Sequence, residues 1–399
     1  MKKKSNKEND LLQKLENGFA DFYGDTKHCK TFLSPTSIIL LGDHTQYNDG
    51  IMITTTLDSY IGFSIRKAEN NFSIAVDDKK YSAEKLSELK IESDDFIIKG
   101  LANVIDKLVR EEVEVKGFEC YINLGTSKVF GLGNFASMNV GFLKSIQSVN
   151  NLKWTNGEIV NFAVESDREL YGIVVSKPLY HSVMRQRVDT LLYYDLRSDY
   201  RKFFTIDPKY KITICNSDVP KENFSERCRE RVQECEVGVK GLRLYIWGIK
   251  NLRDVEEKFL ERHIHMLPKR LYMKCLYNIK QRKIVEEAYK DLRNKKFEEF
   301  GKKLSLTHKL LSEDYDISSE IMDMLVKYAD ESQVSQGSKM ISCSYHDSTM
   351  NIVKQKDIDK FTDYILKNYS SSNGSELEIT SYSITEGVRE IKKSEKSHA

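Results

Sequence analysis

The sequence has few prolines, no long apolar run and almost no net charge. Only 5 of its 399 residues are proline, and 40% are hydrophobic. This is the composition of an ordinary globular protein and excludes fibrous and disordered classes. The longest apolar stretches, such as residues 38–41, are far too short to cross a bilayer. The sequence therefore predicts a globular protein without a membrane-spanning segment.

The charge balance and the cysteines exclude further classes of protein. The chain has 62 Lys and Arg against 60 Asp and Glu, so it offers no overall attraction for nucleic acid or for an anionic membrane. Its 7 cysteines are odd in number and lack CxxC spacing, which favours reduced thiols over disulfides or a zinc site. The basic N-terminus is not followed by an apolar segment and is not a secretory signal. We expect a cytoplasmic protein with no metal, nucleic-acid or membrane partner.

Hydrophobic periodicity divides the chain into two halves. Helical spacing over residues 11–24, 98–113 and 136–149 separates several strand-like segments in the first half. The second half opens with strand-like segments, continues as a long helical region at 222–328, and closes with strands around one further helix. Helices segregated in blocks beside mixed strands predict an α+β fold. We expect two lobes, at 10–205 and 206–385, and flexible polar tails at 1–9 and 386–399.

One segment is specific enough to indicate a family. Residues 35–50, PTSIILLGDHTQYNDG, resemble the galactokinase signature PGRVNLIGEHTDYNGG at eight identical positions. Further likenesses follow in the family's order: GLGNFAS at 131–137 resembles its phosphate loop GLSSSAS, LRDV at 252–255 is shared, and GSKMISCSYHDSTMNIV near the C-terminus aligns with GARMTGGGFGGCTIALV. The chain therefore resembles the galactokinase branch of the GHMP small-molecule kinases over about residues 10–385. The resemblance implies a two-lobed GHMP kinase fold, with mixed sheets and packed helices.

The resemblance also implies that the residues for phosphoryl transfer are missing. The family's arginine falls on Ser37, whose neutral hydroxyl cannot offset the charge that develops on the phosphoryl oxygens. The family's catalytic aspartate falls on Leu179 when the residues are counted without a gap, or on Arg185 if MRQ is matched to MDQ. Either alignment removes the carboxylate, so no catalytic residue is intact.

The nucleotide site is altered in both of its loops. In the family, backbone N–H groups and serine hydroxyls at a helix N-terminus hold the phosphates. Here Gly131 is kept, but the three serines become Gly133, Asn134 and Phe135, and no glycine of GGGFGG survives in residues 342–347. We therefore expect weak or no nucleotide binding and no cofactor, with Mg-ATP required only if an active site has been rebuilt. His346 and Asp347, neighbours on a strand, are expected to point to opposite faces.

The sugar-binding loop is better preserved. The family's acid, histidine and aspartate fall on Asp43, His44 and Gln46, and the tyrosine is retained as Tyr47. These positions favour binding of galactose or a related sugar. The same loop could be purely structural, because Asn-Asp-Gly is a natural turn sequence. The sequence leaves both interpretations open.

Three hypotheses follow. The preferred one is a catalytically inactive galactokinase-like protein that acts in binding or regulation. The second is an active galactokinase or related sugar 1-kinase with a rebuilt site, which would show a carboxylate and a cation converging beside His44. The third is a scaffold that keeps the fold for a protein contact, which a large exposed apolar patch would favour. The sequence specifies neither the protein partner nor the oligomeric state.

Overall fold

The structure is a computed structural model that describes residues 6–69, 71–125, 130–172, 175–221, 223–342, 344–373 and 376–392. The helices of these residues are α1 (Asn6–Tyr23), α2 (Phe96–Arg110), α3 (Leu132–Asn150), α4 (Asn156–Tyr171), α5 (Lys177–Arg185), α6 (Phe224–Leu242), α7 (Glu257–Arg262), α8 (Lys269–Arg293), α9 (Phe297–Glu313), α10 (Glu320–Glu331) and α11 (Ile358–Asn373). The strands are β1 (Lys30–Leu41), β2 (Ile51–Lys67), β3 (Phe72–Val76), β4 (Lys79–Ala83), β5 (Phe118–Asn123), β6 (Thr190–Asp195), β7 (Tyr200–Thr205), β8 (Tyr210–Pro220), β9 (Ser335–Met340), β10 (His346–Lys354), β11 (Glu378–Tyr382) and β12 (Arg389–Ile391).

The larger sheet has eight strands and is mixed. Its main path runs β12-β1-β2-β5-β3-β4, and β6 pairs with β2 and with β7. The β3–β5 pair is parallel and the other pairs are antiparallel. Strand β2 is long enough to pair with β6 at its start and with β5 at its end. Helix α3 packs on β1 and β2, and α1 packs on β2 and β5. The central strands are covered by helices, so their burial is nearly continuous rather than alternating.

The smaller sheet is antiparallel and has the order β11-β8-β10-β9. Helices α9 and α10 pack against β9, and α10 also packs against β10. The chain changes from the larger sheet to the smaller one between β7 and β8, at residues 205–210. It then returns to the larger sheet at β12. The expected division into lobes at 205/206 stays a prediction.

The predicted α+β class with mixed sheets and packed helices is confirmed. Periodicity did not predict β4, α4 or α5. Helix α4 nevertheless begins with a sequence signal, because Thr155 and Glu158 form a capping box that satisfies two free N–H groups. The long helical region is several shorter helices, α6 to α10. No helix among the described residues is long and apolar enough to span a membrane.

Several residues of the expected tails at 1–9 and 386–399 belong to a helix or a strand, and the flexibility of the tails stays a prediction. Helix α1 begins at Asn6, and β12 pairs with β1 so that Ile391 lies opposite Thr31. The two ends also meet, since the Arg389 guanidinium lies 3.1 Å from the Glu8 carboxylate. Short polar segments of this kind gain their structure from partners distant in sequence, which local composition does not reveal.

A core deletion in α1 tests whether this helix is an integral part of the fold. Leu15 is fully buried in a cluster with Tyr60 and Tyr121. Leu15→Ala should lower the free energy of unfolding by about 2–5 kcal/mol, because the lost methyl groups leave a cavity. Urea unfolding followed by circular dichroism measures the change. Leu306→Ala, at a side chain that is exposed on α9, is the control and should change stability by less than about 0.5 kcal/mol. Equal stability of the two variants would contradict the packing of α1.

Candidate functional site

The candidate site is built around the loop that joins β1 to β2. Gly42 opens this loop with a φ of +92°, and a Cβ at this position would lie 2.2 Å from the carbonyl oxygen of Ile51. No other residue type fits there without moving the backbone. The loop then turns back through His44, whose φ is +53°. This geometry places Asp43 and His44 at the end of β1, between the larger sheet and the helices that follow β8.

Tyr47 anchors the loop to the helical region. Its hydroxyl oxygen lies 2.8 Å from that of Tyr315 and 3.3 Å from the Cys235 sulfur, and it accepts a hydrogen bond of 3.2 Å from the Asn278 amide. Burial raises the pKa of Tyr47 well above its usual value. Tyr47, which the sequence predicts to bind sugar, therefore makes its hydrogen bonds to protein groups in this structure. Gln46 precedes it and is half-buried.

Asp43 takes part in a fully buried ion pair. The Lys339 ammonium, from β9, donates to Asp43 Oδ1 at 2.7 Å, and both side chains have 0% exposure. Ser342 donates to the same oxygen, and Lys339 also donates to the carbonyl oxygen of Ile39 at 3.2 Å. Tyr277 donates to the Asp43 backbone carbonyl at 2.8 Å. The pair connects the end of β1 in the larger sheet to β9 in the smaller one.

His44 is a buried, neutral imidazole. Its ring centroid lies 5.1 Å from that of Tyr315. Burial lowers the pKa of His44 to about 4, although the neighbouring Asp43 favours the charged form. His44 is therefore uncharged at neutral pH and cannot act as a cation there.

Three buried polar atoms near this loop have no hydrogen-bond partner among the described residues. They are Ser37 Oγ, Asp43 Oδ2 and His44 Nε2. Buried polar groups are nearly always hydrogen-bonded, because leaving one unpaired costs roughly 1–3 kcal/mol. The Asp43 oxygen and the His44 ring nitrogen, on neighbouring residues, could be satisfied by water or by a ligand rich in hydroxyl groups.

The positions that the resemblance assigns to phosphoryl transfer are buried in the protein interior. Ser37 lies on β1 with 0% exposure, opposite Thr56 of β2. A Cβ at Gly133 would lie 1.9 Å from the Ser37 carbonyl oxygen, so the start of α3 rests directly on this strand. Leu179 lies on α5 within the main hydrophobic core. Arg185, its alternative match, is exposed at the end of the same helix.

The residues at the phosphate-loop positions face the interior. Gly131, with φ of +44°, is the residue before α3. The Asn134 side chain accepts a hydrogen bond of 2.9 Å from the Thr36 hydroxyl of β1. Phe135 is buried. None of these three side-chain positions offers the hydroxyl group that the serines of the family would provide.

Phe135 belongs to a group of four aromatic rings, which we call the aromatic stack: Phe96, Phe135, Tyr171 and Tyr345. Phe135 stacks on Tyr171 with ring centroids 4.4 Å apart, and Tyr345 lies 6.2 Å from Phe135. Phe96 continues the group by stacking on Tyr345 at 5.3 Å, with the ring planes 6° apart. The stack brings together the phosphate-loop position, the GGGFGG position and helices α2 and α4. These two loop positions are thus in contact through apolar rings.

The other residues of the 342–347 segment point in different directions, and residue 343 lies outside the described residues. His346 faces Asp218, with the nearest nitrogen and oxygen 4.0 Å apart. Asp347 accepts a hydrogen bond of 2.7 Å from Ser319. The two neighbours thus have separate partners and form no joint site. Among the described residues, no group of three or more His, Cys, Asp or Glu side chains could hold a metal ion.

Several residues of the site were not predicted from the sequence. Three residues more than 200 positions away contact Asp43 and His44: Tyr277 from α8, Lys339 from β9 and Tyr315 from the loop after α9. No local pattern marks them. Asp167 was also missed: Tyr180 and Asn139 donate to its buried carboxylate, and burial raises its pKa to about 7. Asp167 lies among the charged residues Glu165, Arg168 and Glu169, and such a run ordinarily indicates a solvated face, so the sequence gives no signal for its burial.

Comparison with solved structures identifies the fold of this chain. No family model matches the chain. A crystal structure of Lactococcus lactis galactokinase complexed with galactose superimposes with a TM-score of 0.86 at 18% identity, covering 96% of this chain and 100% of that one. Methanococcus jannaschii mevalonate kinase superimposes with a TM-score of 0.60 at 17% identity over 89% and 98% of the two chains. The chain therefore has the GHMP kinase fold.

Comparison of amino-acid sequences shows which proteins of this fold the chain is similar to. The chain is 22% identical over 382 residues to a galactokinase of a Roseiflexus species, covering 94% of this chain and 96% of that one. It is 26% identical over 394 residues to the galactokinase of Clostridium acetobutylicum, covering 96% and 100%. Within the GHMP kinase fold, the protein is galactokinase-like along nearly its whole length.

The buried ion pair gives a prediction about stability. Lys339→Met should lower the free energy of unfolding by about 3–5 kcal/mol, because it leaves the Asp43 carboxylate buried without its cation. The double variant Asp43→Asn with Lys339→Met should recover a large part of this loss, since no uncompensated charge remains. Chemical unfolding of the three proteins gives the coupling between the two residues.

Lys302→Met is the matched control for this experiment. It removes an ion pair with Glu299 in which both side chains are largely exposed, and it should leave the free energy of unfolding nearly unchanged. If Lys339→Met is as stable as Lys302→Met, the buried pair does not stabilise the fold in the way its geometry indicates.

Proposed function

We propose that this galactokinase-like protein does not transfer phosphate and acts instead as a binding or regulatory protein that needs no Mg-ATP. The observation that carries the proposal is the aromatic stack over the start of α3. Phe135 and Tyr345 occupy positions that correspond, by the sequence resemblance, to the serine and glycine loops around the nucleotide phosphates. A triphosphate needs N–H and hydroxyl donors at this place.

Burial of a polyanion against four aromatic rings would be unfavourable. The phosphate charges would lose their hydration, and of the four rings only Tyr171 and Tyr345 carry a hydroxyl donor, that of Tyr171 being already bonded to the Phe96 carbonyl oxygen. Phe135 and Tyr171 would also have to separate from a contact of 4.4 Å. Both costs oppose nucleotide binding, and they act before any step of phosphoryl transfer.

The transfer positions support the same proposal. Ser37 and Leu179 supply neither a cation nor a carboxylate, and both are fully buried. Without a cation above the moving phosphoryl group, its developing charge is not stabilised. Without a carboxylate, no group accepts the proton of the sugar hydroxyl.

One observation favours the alternative of an active sugar kinase with a rebuilt site. A carboxylate and a cation do converge beside His44, as this hypothesis requires, in the form of Asp43 and Lys339. The two groups are paired with each other at 2.7 Å and have 0% exposure. Each would have to give up its partner before it could act on a substrate. The inactive protein therefore remains the better-supported proposal.

Galactose or a related sugar is the small-molecule partner that we infer. The Lactococcus lactis structure with the same fold contains galactose, and this chain keeps Asp43 and His44 at the positions of the family's sugar loop. The unpartnered atoms Asp43 Oδ2 and His44 Nε2 support a polar ligand here.

We also propose a cytoplasmic location, consistent with the free thiols of the six cysteines that the structure describes.

An activity assay tests the main proposal directly. The purified protein with galactose, ATP and Mg²⁺ should form no galactose 1-phosphate above background, measured by a coupled assay and by mass spectrometry. Active kinases turn over at about 1–100 s⁻¹. A turnover of about 0.1 s⁻¹ or more would refute the proposal, because it would require a working nucleotide site.

Two double variants distinguish the two proposed causes of inactivity, which are the missing transfer residues and the aromatic stack. Ser37→Arg with Leu179→Asp should remain inactive, because the aromatic stack is unchanged. Phe135→Ser with Tyr345→Gly removes two rings of the stack. The melting temperature of this variant with and without Mg-ATP then shows whether the nucleotide binds. Both pairs alter buried positions, so each variant is first checked by circular dichroism. Activity of the first pair would show that the transfer residues, rather than the stack, limit the wild type.

Sugar binding is tested at His44. If galactose, N-acetylgalactosamine or glucose binds, His44→Ala should weaken the affinity by about tenfold or more, since a lost hydrogen bond to a ligand is worth about 1.5 kcal/mol. Isothermal titration measures the affinity. His265→Ala, at an exposed histidine, is the control and should leave it unchanged. Absence of binding by all three sugars at millimolar concentration would favour a purely structural loop and the scaffold hypothesis.

A further inference from the structure

An exposed apolar surface lies at the C-terminal end of α6. Five of the ten large hydrophobic side chains that are exposed among the described residues lie within residues 237–264. Three of them occupy one turn, in which Leu244 is 79% exposed, Tyr245 53% and Trp247 99%. We call residues 243–248 the apolar turn. Scattered exposed hydrophobic residues need no explanation, but such a concentration indicates a contact site.

The apolar turn is held in a defined shape. Arg243 donates hydrogen bonds to the carbonyl oxygens of Ile249 at 3.1 Å and Lys250 at 2.7 Å, which closes the turn. Ile246 packs against the hydrophobic core, and Ile249 is buried. Gly248 adopts a φ of +84°, which permits the reversal of the chain. Because these contacts anchor the turn from within, its outward-facing side chains cannot be covered by a simple collapse onto the protein.

Unpaired cations surround the apolar turn. Residues 237–253 contain four basic residues and no acidic residue. Lys240 precedes the turn on α6 and Lys250 follows it, and both are exposed. Arg262 is exposed on the neighbouring element, beside the His263 ring that lies 6.1 Å from Tyr245. None of these three cations forms an ion pair with a carboxylate among the described residues.

We propose that the apolar turn binds the surface of an anionic lipid membrane. Trp and Tyr rings are favourable at the boundary between hydrocarbon and headgroups, and exposed Leu side chains can enter it. Unpaired Lys and Arg side chains are attracted to the negative headgroups around the insertion point. The protein lies on the membrane in this mode and does not cross it.

The positive charge beside the apolar turn argues against a second copy of the chain as the partner that binds there. A two-fold dimer formed through this surface would place the same patch on both subunits, so Lys240, Lys250 and Arg262 would face an equally basic surface. An acidic protein surface would be attracted by the same cations. It would need a pocket for the projecting Trp247, whereas a lipid surface adapts to the turn without one.

This proposal differs from the expectation that the protein has no membrane partner. That expectation came from a net charge of +2, which averages over the whole chain. Around the apolar turn the exposed Lys240, Lys250 and Arg262 exceed the exposed acidic residues Glu236 and Glu261 by one positive charge. The proposal is also independent of the inactive kinase site, because it uses none of its residues.

Fluorescence of Trp247 provides the test. The chain has only two tryptophans, so a Trp154→Phe background isolates Trp247. Vesicles of phosphatidylcholine with about 30% phosphatidylserine should shift its emission to shorter wavelength, and vesicles of pure phosphatidylcholine should shift it much less. Raising the salt concentration should reverse the shift, since the attraction is partly electrostatic. Co-sedimentation of the full chain with the same vesicles measures the affinity.

Variants make the test specific. Trp247→Ala should abolish co-sedimentation, and Lys240→Ala or Lys250→Ala should each weaken it by about fivefold. Leu306→Ala, at an exposed leucine on another helix, should have no effect. The proposal is overturned if anionic vesicles do not bind the protein at millimolar lipid, or if Trp247→Ala binds as well as the wild type. A dimer that is lost in Trp247→Ala, measured by light scattering, would also overturn it and assign the turn to a subunit interface.

Discussion

The buried ion pair between Asp43 and Lys339 joins the two sheets where the candidate site lies. Asp43 follows β1 of the larger sheet, and Lys339 belongs to β9 of the smaller one. Removing two charges from water is costly, and the cost is offset only when the remaining donors and acceptors are also satisfied. Here Ser342 donates to Asp43 Oδ1 and the Ile39 carbonyl oxygen accepts from Lys339, while Asp43 Oδ2 has no hydrogen-bond partner among the described residues. The position of His44, one residue later, depends on this arrangement.

The same pair explains why a family-like loop can persist beside an altered nucleotide site. Tyr47 holds the loop to the helices through Tyr315 and Asn278, and the Asp43 backbone accepts from Tyr277. These bonds contribute to the fold whether or not a ligand is present. At the phosphate-loop positions, Asn134 accepts a hydrogen bond from Thr36 of β1, and Phe135 packs against Tyr171.

The sequence predicted the fold class and most elements because long periodic segments and a family signature both indicate them. It also predicted that His346 and Asp347 would point apart, since alternation along a strand is a local property. It could not predict that Lys339 pairs with Asp43 or that Tyr171 stacks on Phe135, because these contacts join residues far apart in the chain. The short strand β12 was missed for the same reason, since its three residues are stabilised by pairing with β1.

The candidate site and the apolar turn differ in which side chains are buried and which are exposed. At the candidate site, charged and polar groups are buried and largely paired with one another, and aromatic rings fill space where the family has polar loops. At the apolar turn, aromatic and aliphatic groups are exposed, and Lys240, Lys250 and Arg262 form no ion pair among the described residues. A partner that binds at the turn gains free energy because it covers apolar surface and is attracted to unpaired charge. The candidate site offers much less of either. The apolar turn therefore has the physical features of a contact surface, whereas the residues of the candidate site have those of a packed interior.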